Sequence, residues 1–236
     1  MISNSICLAM LCGSGSVKHD TTNSLIMTIQ DLIAKGIAYE YVTVQGVTGV
    51  DSARNIITDL FLAGDCEFML MIDDDMAWAA DLPARMMKER LGILGVLYLR
   101  KNKTNPRWTV NHDPVNVDVM QGREYLMRVD SIATGMMMIH RDVFAAQFSC
   151  TRTAIISENK PPIPLYFRHT IDADGRLKSE DYSFCERARK AGIDIWAWID
   201  EPIAHIGNYA YTGNYRNVIN GAAFDGKREP LKVMLE

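Results

Sequence analysis

The chain has 236 residues, of which 48% are hydrophobic and 23% charged, enough to bury the core of one large domain. The formal net charge of −4 argues against a surface built as a whole for nucleic acid. Five scattered cysteines without a CxxC pair favour reduced thiols, and no apolar run reaches the roughly 20 residues of a membrane span. The first ten residues also lack the basic start of a signal peptide. We therefore expect a soluble cytoplasmic protein, in the host cytoplasm if the source is viral.

The first hundred residues alternate strand and helix patterns. Apolar runs predict strands over residues 6–11, 39–44 and 68–72. Between them, two helices are predicted from stripes of apolar residues at helical spacing: Leu25, Ile26, Ile29, Leu32 and Ile33, then Ala53, Ile56, Ile57, Leu60 and Phe61. This alternation implies right-handed parallel crossovers and a three-layer α/β arrangement.

The second half is less regular. Helices are predicted over residues 81–90, 142–148 and 180–191, and strands over 93–99, 129–139 (interrupted at Thr134 and Gly135) and 194–199. Residues 101–114 and 151–178 are predicted to be irregular, and a loop as long as the second is typical of a lid or a binding loop. The tail from Gly207 has no strong periodicity.

Three consecutive aspartates, Asp73, Asp74 and Asp75, directly follow the buried strand over residues 68–72. Ligands of open α/β sheets bind at the carboxyl ends of the strands. Adjacent carboxylates repel one another unless a cation or a donor-rich ligand is present, and Mg²⁺ and Mn²⁺ prefer carboxylate and phosphate oxygens. A divalent metal carrying a diphosphate is the expected partner, and a solvated acidic turn is the alternative.

Other segments occur in a fixed order around these aspartates. They are Ala53-Arg54-Asn55, Gly95 to Tyr98 with Arg100 and Lys101, Thr134 to Phe144, Ser179-Glu180-Asp181 continuing to Trp196, and His205-Ile206-Gly207. With the Asp-x-Asp of Asp73 and Asp75, this ordered set resembles the motifs of family-2-like GT-A fold glycosyltransferases over roughly residues 5–207. The resemblance implies an α/β protein with the three-layer α/β/α GT-A (nucleotide-diphospho-sugar transferase) fold and a mixed, mostly parallel central sheet.

The resemblance also implies a division of the chain. Residues 1–207 would form the glycosyltransferase domain, with residues 1–100 as the nucleotide-sugar-binding half and 101–207 as the acceptor and catalytic half. Residues 208–236 would form a C-terminal tail that packs on or near the active site. The implied activity is metal-dependent transfer of a sugar from a nucleoside-diphosphate sugar, most simply a UDP-sugar, to an acceptor hydroxyl.

For the metal site, the resemblance implies Mn²⁺ or Mg²⁺ acting as a Lewis acid on the diphosphate. Asp75 is the predicted direct ligand, and Asp73 is expected on the metal or near the ribose. His205 would add a nitrogen ligand, which favours Mn²⁺, unless it is an ordinary strand-end histidine. Asp74 joins the nucleotide-binding set, although the alternating side-chain direction of an extended segment favours a structural role for it.

For catalysis, Asp181 is the candidate general base, and Glu180 is the alternative. Both lie at a predicted helix N-terminus, where the helix dipole favours the ionised carboxylate, but acidic residues also occur there simply as capping charges. Inversion is the expected stereochemistry and retention the alternative. Arg54, Asn55 and Lys101 complete the predicted nucleotide contacts, and Arg54 and Asn55 would otherwise only complete a helix start.

The acceptor is predicted less directly. Seven basic residues and one acidic residue lie between positions 85 and 107: Arg85, Lys88, Arg90, Arg100, Lys101, Lys103 and Arg107, with Glu89. Such a run is a solvated face, neutralises a diphosphate, or holds a polyanion such as DNA by its phosphates. We expect a glycan or lipid-linked saccharide as acceptor, with a hydroxylated base in viral DNA as the second choice.

Two other functions fit the same predicted fold. A sugar-nucleotide or nucleotidyl transferase would need a glycine-rich basic loop after the first strand, and residues 13–18 form a poor version of one. A non-catalytic nucleotide-sugar-binding module would keep the fold and bind the nucleotide without transferring its sugar.

Overall fold

A computed structural model of the chain describes residues 2–13, 15–102, 107–113, 115–145, 153–155, 161–221 and 227–229. The helices are α1 (His19–Ala34), α2 (Val50–Ala63), α3 (Leu82–Lys88), α4 (Asp142–Ala145), α5 (Glu180–Lys190) and α6 (Tyr215–Ile219). The strands are β1 (Ile2–Cys12), β2 (Ala38–Gln45), β3 (Cys66–Asp73), β4 (Met76–Ala77), β5 (Ile93–Val96), β6 (Val110–Asn111), β7 (Asp118–Met120), β8 (Arg123–Val129), β9 (Ser131–Ile132), β10 (Met136–His140), β11 (Thr153–Ala154), β12 (Ile163–Pro164), β13 (Thr170–Ile171), β14 (Leu177–Lys178), β15 (Ile195–Trp198), β16 (Ala204–Ile206), β17 (Ala210–Thr212) and β18 (Lys227–Glu229).

The central sheet has eight strands in the order β2-β1-β3-β10-β5-β15-β8-β7. β1 pairs in parallel with β2 and β3, and β5 pairs in parallel with β15. β10 runs antiparallel to both of its neighbours, as does β8, so these two strands oppose the direction of the other six. The predicted α/β fold with a mixed central sheet is therefore confirmed, but the sheet is only partly parallel, because three of its seven strand pairs are parallel and four are antiparallel.

Helices cover both faces of this sheet. Alternate side chains of β3 enter two different cores, with Met69 and Met71 on one face and Phe68, Leu70 and Ile72 on the other. α2 and α5 pack into the first core, and α1 and α3 into the second. The result is the predicted three-layer arrangement, in which the carboxyl end of β3 opens between the two helical layers.

The predicted buried stripes of the first two helices are partly wrong. Ile26 is 48% exposed, Ile33 61% and Leu60 46%, while polar residues take their places inside. In α1 the buried face includes Ser24 and Thr28, whose hydroxyl oxygens accept the backbone N–H (3.1 Å) and the indole N–H (2.9 Å) of Trp78. In α2 it includes Arg54, Asn55 and Thr58. Hydrogen bonds to partners distant in sequence rotate both helices away from their most apolar face.

The interruption predicted at Thr134 and Gly135 within residues 129–139 is confirmed, but the two strands on either side belong to different sheets. Ser131–Ile132 pairs with β6, while Met136–His140 joins the central sheet between β3 and β5. The chain changes sheets at Thr134 and Gly135, where the backbone carbonyl of Gly135 accepts the N–H of Asp73 (3.2 Å). β7 and β8, which extend the central sheet, were not predicted.

Several predicted segments are shorter or only partly described. The helix predicted over residues 81–90 is Leu82–Lys88, and the strand over 93–99 is Ile93–Val96 followed by a bridge between Leu99 and Trp108. The predicted loop over 151–178 contains four short strands, and its residues 151–152 and 156–160 lie outside the described residues, as do residues 146–148 of the helix predicted over 142–148. Ser14, Lys103, Cys150 and residues 222–226 and 230–236 of the tail lie outside as well.

Cys7, Cys12, Cys66 and Cys185 are free and buried. Among the described helices, none combines the length and the apolar character needed to cross a membrane.

Candidate functional site

A cavity of about 620 Å³ lies where the carboxyl ends of β1, β2 and β3 meet. Cys12 and Gly13 line it after β1, Gln45 and Gly46 after β2, and Asp73, Asp74 and Asp75 after β3, with Lys18 and Arg54 at its sides. This is the edge at which open α/β sheets bind ligands, because loops from neighbouring parallel strands converge there. The three aspartates therefore line a cavity rather than a solvated turn.

Two short strands bring His205 to Asp75. β4 begins directly after Asp75 and pairs antiparallel with β16, so that His205 lies opposite Met76. The backbone N–H of Ile206 donates to the carbonyl of Asp75 (2.7 Å), and His205 Nε2 lies 3.3 Å from Asp75 Oδ1. β17, from the segment predicted as the tail, pairs with β16 and places Tyr211 opposite His205.

The proton of His205 can be assigned from its partner. Its Nδ1 lies 2.8 Å from the backbone carbonyl oxygen of Leu99, which only accepts hydrogen bonds, so Nδ1 carries a proton. In a neutral ring, Nε2 then turns its lone pair toward Asp75 Oδ1, a buried oxygen with no hydrogen-bond partner among the described residues. Two lone pairs that face each other need a positive charge: a second proton on Nε2 or a metal ion.

These two residues fit a divalent metal. A histidine that ligates a metal usually donates its other ring N–H to a carbonyl or carboxylate, as His205 does to Leu99. No three His, Cys, Asp or Glu side chains are grouped to hold a metal in the part of the chain that the structure describes. Mg²⁺ and Mn²⁺ sites often use one or two protein ligands and complete their coordination with phosphate oxygens and water. Asp75 and His205 match that incomplete kind of site.

Lys101 supplies a positive charge to Asp75. Its Nζ forms an ion pair with Asp75 Oδ2. Burial raises the pKa of Asp75, but the contacts with His205 and Lys101 outweigh it and hold that pKa below its ordinary value. Asp75 is therefore an anion with one oxygen held by Lys101 and the other facing His205.

Asp73 has different neighbours. Its Oδ1 lies 3.7 Å from Arg54 Nη2, and burial raises its pKa although Arg54 acts in the opposite direction. A Cβ atom on Gly135 would lie 2.9 Å from Asp73 Oδ2 and 2.4 Å from the Tyr98 hydroxyl, so this glycine is required by close packing. The Tyr98 hydroxyl accepts the N–H of Gly135 (3.1 Å). Of the predicted metal set, then, Asp75 and His205 are in contact, and Asp73 faces Arg54 and Gly135.

Glu180 and Arg54 form a buried ion pair, with side chains 6% and 7% exposed. The other carboxylate oxygen of Glu180 lies 3.3 Å from His169 Nε2, and His169 Nδ1 lies 3.9 Å from Asp51. Arg54 therefore connects the carboxyl end of β3, through Asp73, to the start of α5. Glu180 has a cationic partner at one oxygen and an imidazole at the other.

Asp181, next to Glu180 in the chain, has no cationic partner among the described residues and is held by neutral donors. Asp181 Oδ1 accepts from the Ser179 hydroxyl and from the backbone N–H of Tyr182 (2.7 Å), in the first turn of α5. Burial raises the pKa of Tyr98, and the nearby carboxylates of Asp73 and Asp181 add to that effect. One buried phenol thus lies close to both carboxylates.

Asn55 and Asp74 complete the predicted set. Both amide atoms of Asn55 are bonded to the backbone of Phe167, since Oδ1 accepts its N–H (2.8 Å) and Nδ2 donates to its carbonyl (2.7 Å). Asn55 therefore anchors the segment that carries His169. Asp74 lines the cavity, and its carbonyl accepts the N–H of Lys18 (2.9 Å).

The predicted basic run does not form one surface. Arg85 pairs with Glu201 (2.8 Å) and Arg90 with Glu67. Lys101 reaches Asp75, and Arg100 and Arg107 line a second cavity. Two of its arginines thus form ion pairs away from the aspartates, whereas Lys101 contacts Asp75 and two other arginines line the second cavity.

Four further residues near the site were not predicted from the sequence as site residues: Lys18, Gln45, Tyr98 and His169. Gln45 follows a predicted parallel strand, and Tyr98 lies in a segment already singled out, so position along the predicted sheet could have identified both. His169 has no comparable signal, because it lies in the long irregular stretch and reaches Glu180 only through the folded chain.

No protein-family model matches the sequence, and no curated protein matches it significantly. Among solved structures, the crystal structure of A197 from STIV is similar with a TM-score of 0.52 and 17% identity, over 88% of this chain and 90% of that one. This likeness shows a shared fold. The catalytic domain of Drosophila beta1,4galactosyltransferase 7 in complex with xylobiose aligns with a TM-score of 0.47 and 14% identity, over 87% and 71% of the two chains. The inositol-1-phosphate CTP transferase from T. maritima aligns with a TM-score of 0.39 and 12% identity, over 84% and 90%.

Proposed function

We propose that this chain is a metal-dependent glycosyltransferase that moves a sugar from a nucleoside-diphosphate sugar, most simply a UDP-sugar, to an acceptor hydroxyl. One observation carries the proposal: Asp75, which lines the cavity at the carboxyl ends of β1, β2 and β3, has its buried Oδ1 3.3 Å from His205 Nε2. The facing lone pairs need a positive charge, and we assign it to a metal ion rather than to a second proton on Nε2 because the pair borders the edge where an α/β sheet binds its ligand. The motif resemblance to GT-A fold glycosyltransferases points to the same residues.

The donor would occupy the cavity of about 620 Å³, a volume typical of sites for small ligands and cofactors. Arg54, Lys18 and Lys101 bring positive charge to the side of the cavity where the aspartates lie. Asp73, held by Arg54 and set against Gly135, is suited to accept hydrogen bonds from donor hydroxyls. These groups would position a diphosphate beside the metal ligands.

Asp75 and His205 would hold Mn²⁺ or Mg²⁺, which as a Lewis acid stabilises the negative charge of the departing nucleoside diphosphate. The histidine nitrogen favours Mn²⁺ over Mg²⁺. Lys101 would leave Asp75 and contribute its charge to the diphosphate instead.

Asp181 is the general base of this proposal. We prefer it to the alternative, Glu180, because Arg54 and His169 contact the two carboxylate oxygens of Glu180. The Ser179 hydroxyl and the Tyr182 N–H contact Oδ1 of Asp181 and orient the group. Asp181 would take the proton of the acceptor hydroxyl as its oxygen attacks the anomeric carbon in line with the leaving diphosphate, which inverts the configuration. The acceptor would be a glycan, a lipid-linked saccharide or modified DNA.

A thermal-shift panel of nucleotide sugars with and without Mn²⁺ tests the proposal. The preferred donor should stabilise the protein, by about 2.7 kcal/mol at a hundredfold excess over its Kd, and only when Mn²⁺ is present. Stabilisation that EDTA does not abolish would contradict the metal assignment. Release of pyrophosphate instead of nucleoside diphosphate would favour a nucleotidyl transferase, and binding without turnover against any acceptor would favour a non-catalytic module.

A further inference from the structure

A second cavity of about 440 Å³ is lined by none of the predicted donor and metal residues. Its walls come from the chain around the Leu99–Trp108 bridge, from the start of α5 and from α6. The side chains that matter for its chemistry are Arg100, Arg107, Trp108, Tyr182 and Tyr215. The cavity thus combines two cations with three aromatic rings.

The two arginines lie opposite each other. The backbone N–H of Arg100 donates to the carbonyl of Arg107 (2.8 Å), next to the bridge that joins Leu99 to Trp108. Residues directly opposite across paired strands share a face, and like charges in that arrangement repel. Arg100 donates to the neutral hydroxyl of Tyr182 (3.0 Å). The carboxylate that lines this cavity, Asp130, pairs with Arg189 (2.6 Å). An anion between the two guanidinium groups would relieve their repulsion.

The aromatic floor is held in place. Trp108 and Tyr215 pack edge to face with centroids 5.1 Å apart, and the Tyr215 hydroxyl lies 2.6 Å from His112 Nε2. A Cβ atom on Gly213 would lie 3.0 Å from the Trp108 ring, so the segment before α6 approaches this tryptophan closely. Trp108 Nε1 is a buried donor without a hydrogen-bond partner among the described residues. A buried donor of this kind favours a bound acceptor oxygen.

The cavity is connected to the proposed catalytic groups by sequence neighbours. Tyr182 follows Asp181, and Arg100 precedes Lys101, which reaches Asp75. A molecule on the aromatic floor would therefore contact residues that directly adjoin Asp181 and Lys101 in the chain.

We infer that this second cavity binds the acceptor and selects a saccharide that carries an anionic group, a phosphate or a carboxylate. The role of the bound saccharide as acceptor rests on the proposed function, whereas the binding of an anionic saccharide in this cavity does not. The arginines hold the anion, the rings pack against the sugar, and Trp108 Nε1 donates to one of its oxygens. A volume of about 440 Å³ suits a small saccharide, and the net charge of −4 opposes a DNA duplex.

Indole N–H signals in NMR spectra test this directly, because the chain has only four tryptophans and Trp108→Phe assigns the relevant signal. The probes are glucose 6-phosphate, glucuronic acid, glucose, inorganic phosphate and a short DNA duplex. The two charged sugars should shift the Trp108 signal, whereas glucose and inorganic phosphate should bind at least about tenfold more weakly. Arg107→Gln should weaken glucose 6-phosphate by about tenfold or more. Arg123→Gln, which changes an arginine paired with Glu89 away from this cavity, should have no effect.

Glucose or inorganic phosphate binding as tightly as glucose 6-phosphate would overturn the inference, and so would an unaffected Arg107→Gln. If the duplex binds more tightly than glucose 6-phosphate and its affinity falls steeply with salt, the ligand of this cavity is DNA and the inference of a saccharide is wrong.

Titration of UDP with Mn²⁺ separates this inference from the proposed function. If UDP binds but the charged sugars do not shift the Trp108 signal, the inference about the second cavity is wrong and the proposed function stands. Arg107→Gln should leave UDP binding unchanged. A sugar-phosphate response without UDP binding overturns the proposed function and the acceptor role, and leaves a site for anionic saccharides.

Discussion

The Asp75 carboxylate already has a cation, and that cation is Lys101. The lysine stem crosses Gly207, where a Cβ atom would lie 3.2 Å from Lys101 Cδ. Glycine in the His205-Ile206-Gly207 segment therefore gives the lysine its path to Asp75. A metal ion at Asp75 must compete with this ammonium group for the carboxylate.

Lys101→Ala should tighten the binding of Mn²⁺ alone, because it removes both a competitor for Asp75 and a nearby positive charge. We expect a gain of about tenfold in affinity, measured by titration of free Mn²⁺ with electron paramagnetic resonance in the absence of nucleotide. Lys88→Ala, which removes an exposed lysine on α3, is the control. Weaker Mn²⁺ binding in Lys101→Ala would show that the lysine does not occupy the metal site.

The neighbours Glu180 and Asp181 should respond differently to the loss of charge. Asp181→Asn should lower turnover by about a hundredfold or more, with unchanged melting temperature and UDP affinity, because it removes a general base. Glu180→Gln should lower the free energy of unfolding by about 3–5 kcal/mol, because Arg54 would be left buried without its partner. Full turnover in Asp181→Asn would contradict the base assignment. An unchanged stability of Glu180→Gln would show that the buried pair is not structural.

Among the elements, the junction between β9 and β10 matters most for the site. Gly135 packs against Tyr98 and Asp73 at this junction, and its backbone carbonyl accepts from the Asp73 N–H. Gly135→Ala should displace the Tyr98 hydroxyl or the Asp73 carboxylate, since the added Cβ would overlap both. We expect UDP affinity in the presence of Mn²⁺ to fall by about tenfold or more, measured by calorimetry.

Gly92→Ala is the matched control for this prediction. Its Cβ would lie 3.4 Å from Ile193 and Val143, which is close to ordinary contact, in another part of the sheet. Equal UDP affinity for Gly135→Ala and the unaltered protein would mean that the junction does not shape the donor site.

Elements with an unbroken apolar run or a regular helical period could be predicted from the sequence. β3 and α5 are examples, because burial on both faces and helical spacing leave a local signature. β8 could not be predicted in this way, since Arg123, Glu124 and Arg128 interrupt its apolar residues and only its pairing with β15 makes it a strand. In α1 and α2 the buried face could not be predicted from the spacing of apolar residues, because part of that face is polar and its partners lie far away in the sequence.

Part of the site could be predicted as well. Asp75 and His205 were both singled out, and the order of motifs suggested that they meet. What the sequence could not show is which partner each side chain takes. Glu180 and Arg54 are 126 positions apart, and Asn55 bonds to Phe167 across 112 positions. Such choices depend on the folded arrangement of whole elements.

At the scale of the whole molecule, Glu67 joins three parts of the chain at the end of β3 opposite the site. Its carboxylate accepts hydrogen bonds from the Asn4 N–H (2.7 Å) and from the Arg90 guanidinium (2.9 Å). It also lies 3.3 Å from His140 Nε2. Asn4 and Arg90 have φ of 57° and 55°, a left-handed conformation uncommon for residues other than glycine. The pKa of Glu67 is lowered to about 2, with the hydrogen bond from Arg90 as the largest cause and that from Asn4 as a smaller one.

This network should make stability depend on pH. A carboxyl group with a lowered pKa contributes its stability above its ordinary pKa of 4.5 and loses it as the pH falls through about 2. Glu67→Gln should therefore lower the free energy of unfolding by about 2 kcal/mol at pH 7, and this difference should shrink as the pH falls below 4.5. Urea unfolding at several pH values measures it, with the exposed Asp59→Asn as control. A difference that stays constant down to pH 2.5 would contradict the assigned network.

In the proposed function, Asp75 and His205 bind a divalent metal together with a nucleoside diphosphate. Calorimetric titration of UDP in the presence of Mn²⁺ or EDTA tests it most directly, on the unaltered protein and on Asp75→Asn and His205→Ala. We expect binding that requires Mn²⁺ and that weakens by about tenfold or more in each variant. UDP binding of equal strength in EDTA, or unchanged in both variants, would contradict it.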